Sequence, residues 1–511
     1  MKNGDLDLRD RDALFDALEG RVFDLAVIGG GITGAGVARD AAMRGLAVAL
    51  VEARDFAAGT SSRSSKLIHG GLRYLAQGDI ALVREAASER KIVEAIAPHL
   101  ARPTPFVIPA RSGAAIARLR AGLWAFEKLG GVPKSRRHEV WSRAELRERE
   151  PAVAADDLAG AVVYPEYLTD DARLTLANMR SAAAHGVLVV NYAQAEAIVV
   201  ESGRAVGIEV AETLPGAPER RARLAARVIV NAAGPWVDAV RAMESPEAAP
   251  RLRLTRGIHL VVPREALPIE RTVILTAADR RGLFAVPRGA ITYIGTTDTF
   301  EDQTSPWPAI TAADADYLLA AAAARFRTPP LTRADVVSAW AGVRPLVAEE
   351  GKSASDISRR DELWTGPAGV LSIAGGKLTA YRRMAQRVVD HVESALGVKH
   401  RPCRTADEAL IGGDAASDIH AVAGGPAGEA AHAALIEGAL TLADYWFRRS
   451  GRAWFDPDGL AALAPAAQAM APLLGWTGAR TAEEIEACRR RHEIDMAGLR
   501  VNSIDQNQSI R

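Results

Sequence analysis

Three glycines, Gly29, Gly31 and Gly34, stand in the spacing G-x-G-x-x-G, directly after an apolar run and directly before a stretch of small residues. A pyrophosphate site needs each of them for a different reason. The first allows a tight turn, the second lets the backbone approach the phosphates, and the third lets helix and strand pack closely. The free N–H groups and positive dipole end of the following helix would then face the phosphates. Glu52 closes the next apolar run, where a carboxylate can hold ribose hydroxyls. A glycine triplet alone is often only a turn. With a strand before it, a helix after it and an acid behind it, this one reads as a dinucleotide site.

A second clamp follows within a few residues. Thr60, Ser61, Ser62, Lys66 and Leu67 lead into His69-Gly70-Gly71, so hydroxyls, an ammonium and bare backbone are presented together. That suits a long cofactor whose pyrophosphate and isoalloxazine both need close contact, and it favours FAD over a nicotinamide nucleotide. The apolar run at 228–232 stops in Ala233 and Gly234, as a strand does where backbone passes close to a ligand. Further on, Gly375, Gly376, Lys377, Leu378 and Thr379 form another strand-to-helix junction. Its N–H groups and Lys377 are placed to face the flavin edge where negative charge collects on reduction.

The elements that must position these groups are visible as alternating patterns. Residues 22–28 and 46–51 read as buried strands around a helix at 35–44, one complete βαβ unit. Residues 80–97 look helical, and Pro98, Pro103, Pro105 and Pro109 then break the pattern where the chain leaves one domain for another. Residues 252–299 alternate in strand-like fashion with turns between, an antiparallel-leaning sheet, and from about 404 onward the chain is alanine-rich and reads as helical. The expected fold class is α/β: a Rossmann-like FAD-binding domain with an inserted mixed or antiparallel-sheet substrate domain and a helical C-terminal domain. The FAD-binding part is assembled from residues 1–100, 171–250 and 336–400, the substrate or cap domain from 101–170 and 251–335, and the C-terminal domain from 401–511.

Composition bounds the alternatives. The chain has 511 residues, 48% hydrophobic and 25% charged, with 63 Lys plus Arg against 63 Asp plus Glu. That is a globular composition with no net field to draw nucleic acid. Two cysteines without a CxxC pair argue against a zinc site, and no metal is expected. The first twenty residues lack an apolar signal core, and no window is apolar enough to span a bilayer. The expected location is the cytosol or a membrane surface.

Taken together, the segments Gly29 to Gly34, Thr60 to Tyr74, Asn231 to Asp238, Gly295 to Asp298, Gly342 to Leu346 and Gly375 to Thr379 resemble the FAD-dependent glycerol-3-phosphate dehydrogenase family. This is a branch of the D-amino-acid-oxidase-like flavoproteins. The resemblance runs from about Phe23 to Tyr381, with a fainter match at Asp444 to Phe455. It implies oxidation of glycerol 3-phosphate to dihydroxyacetone phosphate, with hydride passing to FAD and electrons on to a quinone. It also implies a peripheral position on the inner face of the cell membrane, and it allows a homodimer. A phosphate asks for arginines, and the resemblance places Arg344, Arg73, Tyr74, Lys377 and Arg359 near the substrate, Arg359 being ambiguous with Arg360. His259 is the expected general base, with a backbone-bonded structural histidine as the alternative and His69 as the rival, although the Gly-Gly that follows His69 suggests that it shapes the cofactor site. An oxygen-using oxidase, an amine or amino-acid oxidase and a silent flavin-binding sensor are the competing readings. Two surfaces are candidates for membrane contact: Leu14, Phe15 and Leu18, or Trp446, Phe447 and Trp454 with Arg448, Arg449 and Arg452.

Overall fold

In the computed structural model, which describes residues 4–69, 80–302, 304–349, 360–413 and 419–500, the first apolar run becomes the strand Phe23–Ile28. It is central because it is apolar on both faces, as a parallel strand covered by helices must be. It pairs in parallel with Val48–Val51 on one side and Arg221–Asn231 on the other, and Leu188–Val190 and Leu371–Gly375 extend the sheet. Asp361–Thr365 closes one edge in antiparallel fashion. Ala193–Glu201 and Arg204–Glu212 form a hairpin that continues from the long strand Arg221–Asn231. Register decides what this sheet presents. Ile28 lies opposite both Val51 and Asn231, and Asn231 lies opposite Ser372. The first three strands therefore end together, the fourth runs on from Ser372 to Gly375, and Gly29, Glu52, Ala232 and Gly375 emerge along one edge, where open α/β sheets bind ligands.

The second sheet has ten strands and is antiparallel except where Thr272–Thr276 runs parallel to Arg102–Ala110. Its centre is Leu252–Pro263, paired along most of its length with Ser338–Val347 and, on its other side, with Ile291–Gly295. This corrects the boundary expected at residue 336: Ser338–Val347 belongs to the second sheet, and the next described strand, Asp361–Thr365, belongs to the first. The prolines at 103, 105 and 109 mark the passage into this sheet, yet they lie inside a strand. Strand Arg102–Ala110 tolerates them because its Thr272–Thr276 neighbour pairs only at Phe106 and Val107, so few ladder bonds are lost.

The described residues from Gly425 to Arg500 hold the helices Gly425–Ile436, Leu463–Leu474 and Gly478–Arg500, joined by shorter turns, and no strand. Their core continues that of the second sheet: Trp446, Phe447 and Trp454 pack with Trp340 and Tyr293. This overturns both expected membrane contacts. Trp446, Phe447 and Trp454 are 1%, 3% and 2% exposed, and Arg448 and Arg449 are buried on Asp55. Leu14, Phe15 and Leu18 are likewise buried, on a helix Arg11–Glu19 that packs against Arg221–Asn231. A buried aromatic core and an interfacial belt share one composition, and only the fold separates them. Among the described residues, no helix is long and apolar enough to cross a membrane.

Candidate active site

The glycine turn has the tightness its spacing implied. Gly29 has φ +111°, and a Cβ there would lie 2.6 Å from the carbonyl oxygen of Ala232. A Cβ on Gly34 would lie 1.9 Å from the carbonyl oxygen of Gly29, so only glycine lets helix Ile32–Met43 start here. Gly31 caps that helix. The Ile32 N–H donates to the Ser61 Oγ at 3.0 Å, and a Cβ on Gly31 would meet the same oxygen at 3.1 Å. Glu52 accepts from the N–H groups of Gly30 (2.7 Å) and Arg54 (2.9 Å). Burial raises the Glu52 pKa, and those two donors work against the rise. Thr60 donates to the Val343 carbonyl at 2.6 Å and so ties the loop to the second sheet.

Two residues expected to touch cofactor lie behind the cavity wall instead. Ser62 is buried, its hydroxyl directed at the Gly59 carbonyl. The Lys66 Nζ is buried 2.6 Å from Asp171 and 2.8 Å from the Ser62 carbonyl, with the indole of Trp454 4.9 Å away. An ammonium in that cage neutralises a buried carboxylate. It braces the loop rather than lining the cavity.

The opposite end of the cavity gathers residues from both sheets. Ala233 and Gly234 follow Asn231, whose Oδ1 accepts from the Ala233 N–H at 3.2 Å. Gly375 and Gly376 both have φ +78°, and a Cβ on Gly376 would meet the Met384 Sδ at 2.4 Å. Lys377 and Leu378 follow and line the cavity, while Thr379 Oγ1 donates to the His69 carbonyl at 2.9 Å. The ring of His69 meets Phe284 edge-on at 5.3 Å.

Arg344 reaches this end from Ser338–Val347. Its guanidinium is held by Asp298 (3.2 Å), the Thr296 hydroxyl (3.1 Å) and the Thr297 carbonyl (3.3 Å). It crosses Gly257, where a Cβ would lie 2.3 Å from its Nη2. His259, two residues further along the same strand as Gly257, stacks on Trp340 and shares a hydrogen bond between its Nε2 and the Ser65 Oγ at 2.9 Å. Its Nδ1 is buried with no partner among the described residues. Burial, then the charges of Arg344 and Lys66, push its pKa well below 6.5, so the ring is neutral. Gly70, Arg73, Tyr74 and Arg359 lie outside the described residues.

Several contributors were given no role by the motifs. Ser65 is the partner of His259, Asp298 orients Arg344, and Trp340 becomes the floor under His259 only through strand register. Arg63 also lines the cavity, its guanidinium 3.5 Å from the Trp307 ring centroid and its pKa lowered to about 9, chiefly by burial. The Gly295–Asp298 segment was part of the pattern, but nothing in it announced an arginine partner forty-six residues away.

One cavity of about 430 Å³ connects Gly31 and Glu52 with His259, Arg344 and Lys377. A cradle that any Cβ would fill stands at one end, and an orphaned imidazole nitrogen and two cations stand at the other. This donor set fits a flavin dinucleotide. Residues 24–382 match the family model described as FAD dependent oxidoreductase. The aerobic glycerol-3-phosphate dehydrogenase of Staphylococcus aureus (strain USA300) is 45% identical over 400 residues, covering 77% of this chain and 71% of that protein. The chain belongs to the FAD-dependent glycerol-3-phosphate dehydrogenase family. The solved glycerol-3-phosphate dehydrogenase of Bacillus halodurans, complexed with FAD, is 31% identical and superposes with a TM-score of 0.80 over 97% of this chain and all of that one. The L-alpha-glycerophosphate oxidase of Mycoplasma pneumoniae, at 16% identity and a TM-score of 0.53 over 76% of this chain and 99% of that one, shares the fold alone. As a member of the dehydrogenase family the chain is an FAD-dependent oxidoreductase, and Gly29, Gly31 and Glu52 line one end of the cavity.

Proposed function

We propose that this chain oxidises the C2 alcohol of sn-glycerol 3-phosphate to the ketone of dihydroxyacetone phosphate, and that the electrons leave to a quinone at a membrane surface. One observation carries the reading: a neutral, buried histidine lines the same cavity end as two cations, Arg344 and Lys377. The names of the S. aureus and B. halodurans relatives support it.

Bound FAD supplies the hydride acceptor. The protein's own residues do the rest. Arg344, held by Asp298, Thr296 and the Thr297 carbonyl, brings its positive charge to a phosphate, with Lys377 as a second charge. His259 takes the hydroxyl proton as hydride leaves C2, while the bond between Ser65 and its Nε2 fixes the ring. A phosphate dianion on Arg344 would offset one of the charges that depress the His259 pKa, raising its basicity once substrate is in place. Without a membrane-spanning helix among the described residues, a quinone would be met at a peripheral surface, here assigned to the inner face of the cell membrane.

Anaerobic addition of glycerol 3-phosphate to the purified flavoprotein tests the substrate. The flavin band should bleach, and a band that persists at saturating substrate overturns the reading. Adding a short-chain quinone should then restore the oxidised spectrum much faster than oxygen does. Hydrogen peroxide formed mole for mole with substrate consumed, unaffected by quinone, would identify the oxygen-using oxidase instead.

A further inference from the structure

We infer that the helix Gly113–Leu129 lies on a membrane surface bearing anionic lipid and is the contact through which the protein docks. This rests on the membrane reading proposed above and assigns it a place that the buried aromatics of the C-terminal domain cannot supply. The helix has 17 residues, about 25 Å at the usual rise. Its inner face is settled: Leu123 packs with Phe106 and Val162, and Phe126 packs with Val83 and Ala87. Its outer face mixes small apolar residues with cations, Arg118, Arg120 and Lys128, rather than the all-polar surface of a solvent-facing helix. Ala114, Ala117, Ala121 and Trp124 recur at helical spacing and are all exposed, Trp124 at 58%. An indole left in water on a stripe of small apolar residues is costly, and Trp is a side chain that favours the interface between water and lipid.

The flanks are cationic. Between Arg111 and Arg137 the chain carries seven cationic side chains and one carboxylate, Glu127. Glu127 is buried and engaged with the backbone N–H and the ring of His138 (2.6 and 2.9 Å), so it offers nothing outward. Arg118, Arg120, Lys128 and Lys134 are exposed, and among the described residues none of them is in an ion pair, although the chain as a whole is neutral. An apolar stripe with an indole, the Lys128 ammonium 5.9 Å from its ring, and cations outside any ion pair on either side is complementary to anionic headgroups over acyl chains. A second copy of the chain fits less well, because a two-fold contact would bring these cations against themselves.

The test uses the full-length FAD-loaded protein and vesicles of phosphatidylcholine with and without phosphatidylglycerol. Wild-type protein should co-sediment with the anionic vesicles, and high salt should weaken but not abolish that binding. Arg118→Glu/Arg120→Glu/Lys128→Glu should reduce partitioning on the order of 100-fold, given about fivefold per cation near such a surface. Trp124→Ser should remove the salt-resistant part. FAD content and bleaching by glycerol 3-phosphate, read on the same preparations, should be unchanged. A triple variant that binds like wild type, or a wild type that ignores both kinds of vesicle, overturns the inference even where bleaching succeeds. Vesicle binding without bleaching leaves the surface standing and sinks the substrate reading. A wild-type dimer that the triple variant splits, without vesicle binding, would give the face to a second copy and overturn the lipid assignment.

Discussion

His259 lies flat on the indole of Trp340, ring centroids 4.7 Å apart and planes 12° from parallel. The stacking follows from the sheet: the two are register partners on the antiparallel strands Leu252–Pro263 and Ser338–Val347, so their side chains leave the same face. Stacking holds the ring with its Nε2 toward Ser65 and leaves water little access. Orientation and neutrality thus have separate causes, the first from Trp340 and Ser65, the second from burial and the charges of Arg344 and Lys66.

The pH dependence follows with a definite sign. The His259 pKa is depressed in the folded protein, so the base form is complete above about 6.5 and is lost only as pH falls through the lowered value. Single-turnover flavin reduction should therefore be level from neutral pH upward, as far as this group is concerned, and decline on the acid side. Stability has the same sign: the unfolded chain binds a proton near 6.5 and the folded one does not, so stability is lost as pH falls below that value. His259→Gln should slow reduction by about 100-fold or more, with a smaller change in KM, and should remove this acid limb. Stopped-flow traces that match wild type would return His259 to a structural role.

Gly31→Val should give a protein that purifies colourless. The first branch atom already meets Ser61 Oγ at 3.1 Å, and a larger side chain would occupy the space the helix N-terminus leaves open. The measurement is the ratio of flavin to protein absorbance. Full FAD content in the variant would mean that the pyrophosphate does not pass over Gly31.

Half of this site was readable before any coordinates because its physics is local. Gly29, Gly31, Gly34 and Glu52 lie within one βαβ unit, and what they must do is set by residues a few positions away. The other half depends on strands far apart in sequence. That His259 meets Trp340 follows from a register between residues 252–263 and 338–347, and that Arg344 meets Asp298 and His259 meets Ser65 depends on loops brought in from elsewhere in the chain, none of which a local pattern encodes. Lys66 shows the limit most plainly. Its motif is sharp, but Asp171, a hundred residues later, takes the ammonium away from the cavity. The aromatic and basic cluster at 446–454 fails for the same reason: Asp55 neutralises both arginines from the far end of the chain.

Arg344→Ala should leave FAD bound and lower kcat/KM by at least about 100-fold, the scale of losing a charge-assisted contact to the phosphate. Glycerol should be a poor substrate for wild type, and the gap between glycerol and glycerol 3-phosphate should shrink in the variant. Steady-state kinetics on both alcohols would measure this. Equal turnover of the two by wild type would remove the phosphate from the account of Arg344.

The last expectation concerns how the C-terminal domain holds the cofactor loop. Asp55 follows Glu52 by three residues and accepts from the guanidinium groups of both Arg448 and Arg449, all three side chains being buried. Burial alone would raise the Asp55 pKa, but the two cations overcome it and bring it below 3.8. Removing one partner of such a pair leaves an uncompensated buried charge, at a cost of about 3–5 kcal/mol. Arg449 also donates to the Glu437 carbonyl at 2.9 Å, so its loss loosens the C-terminal domain as well as the loop. Arg449→Met should therefore lower the temperature at which FAD fluorescence appears on heating, and should weaken FAD retention on dilution. Substrate KM in the variant that still holds FAD should change little, because neither arginine lines the cavity. High salt should not reproduce the effect in wild type, since a pair this deeply buried is poorly screened. If FAD release in Arg449→Met tracks wild type across the same heating ramp, the C-terminal domain does not brace the loop.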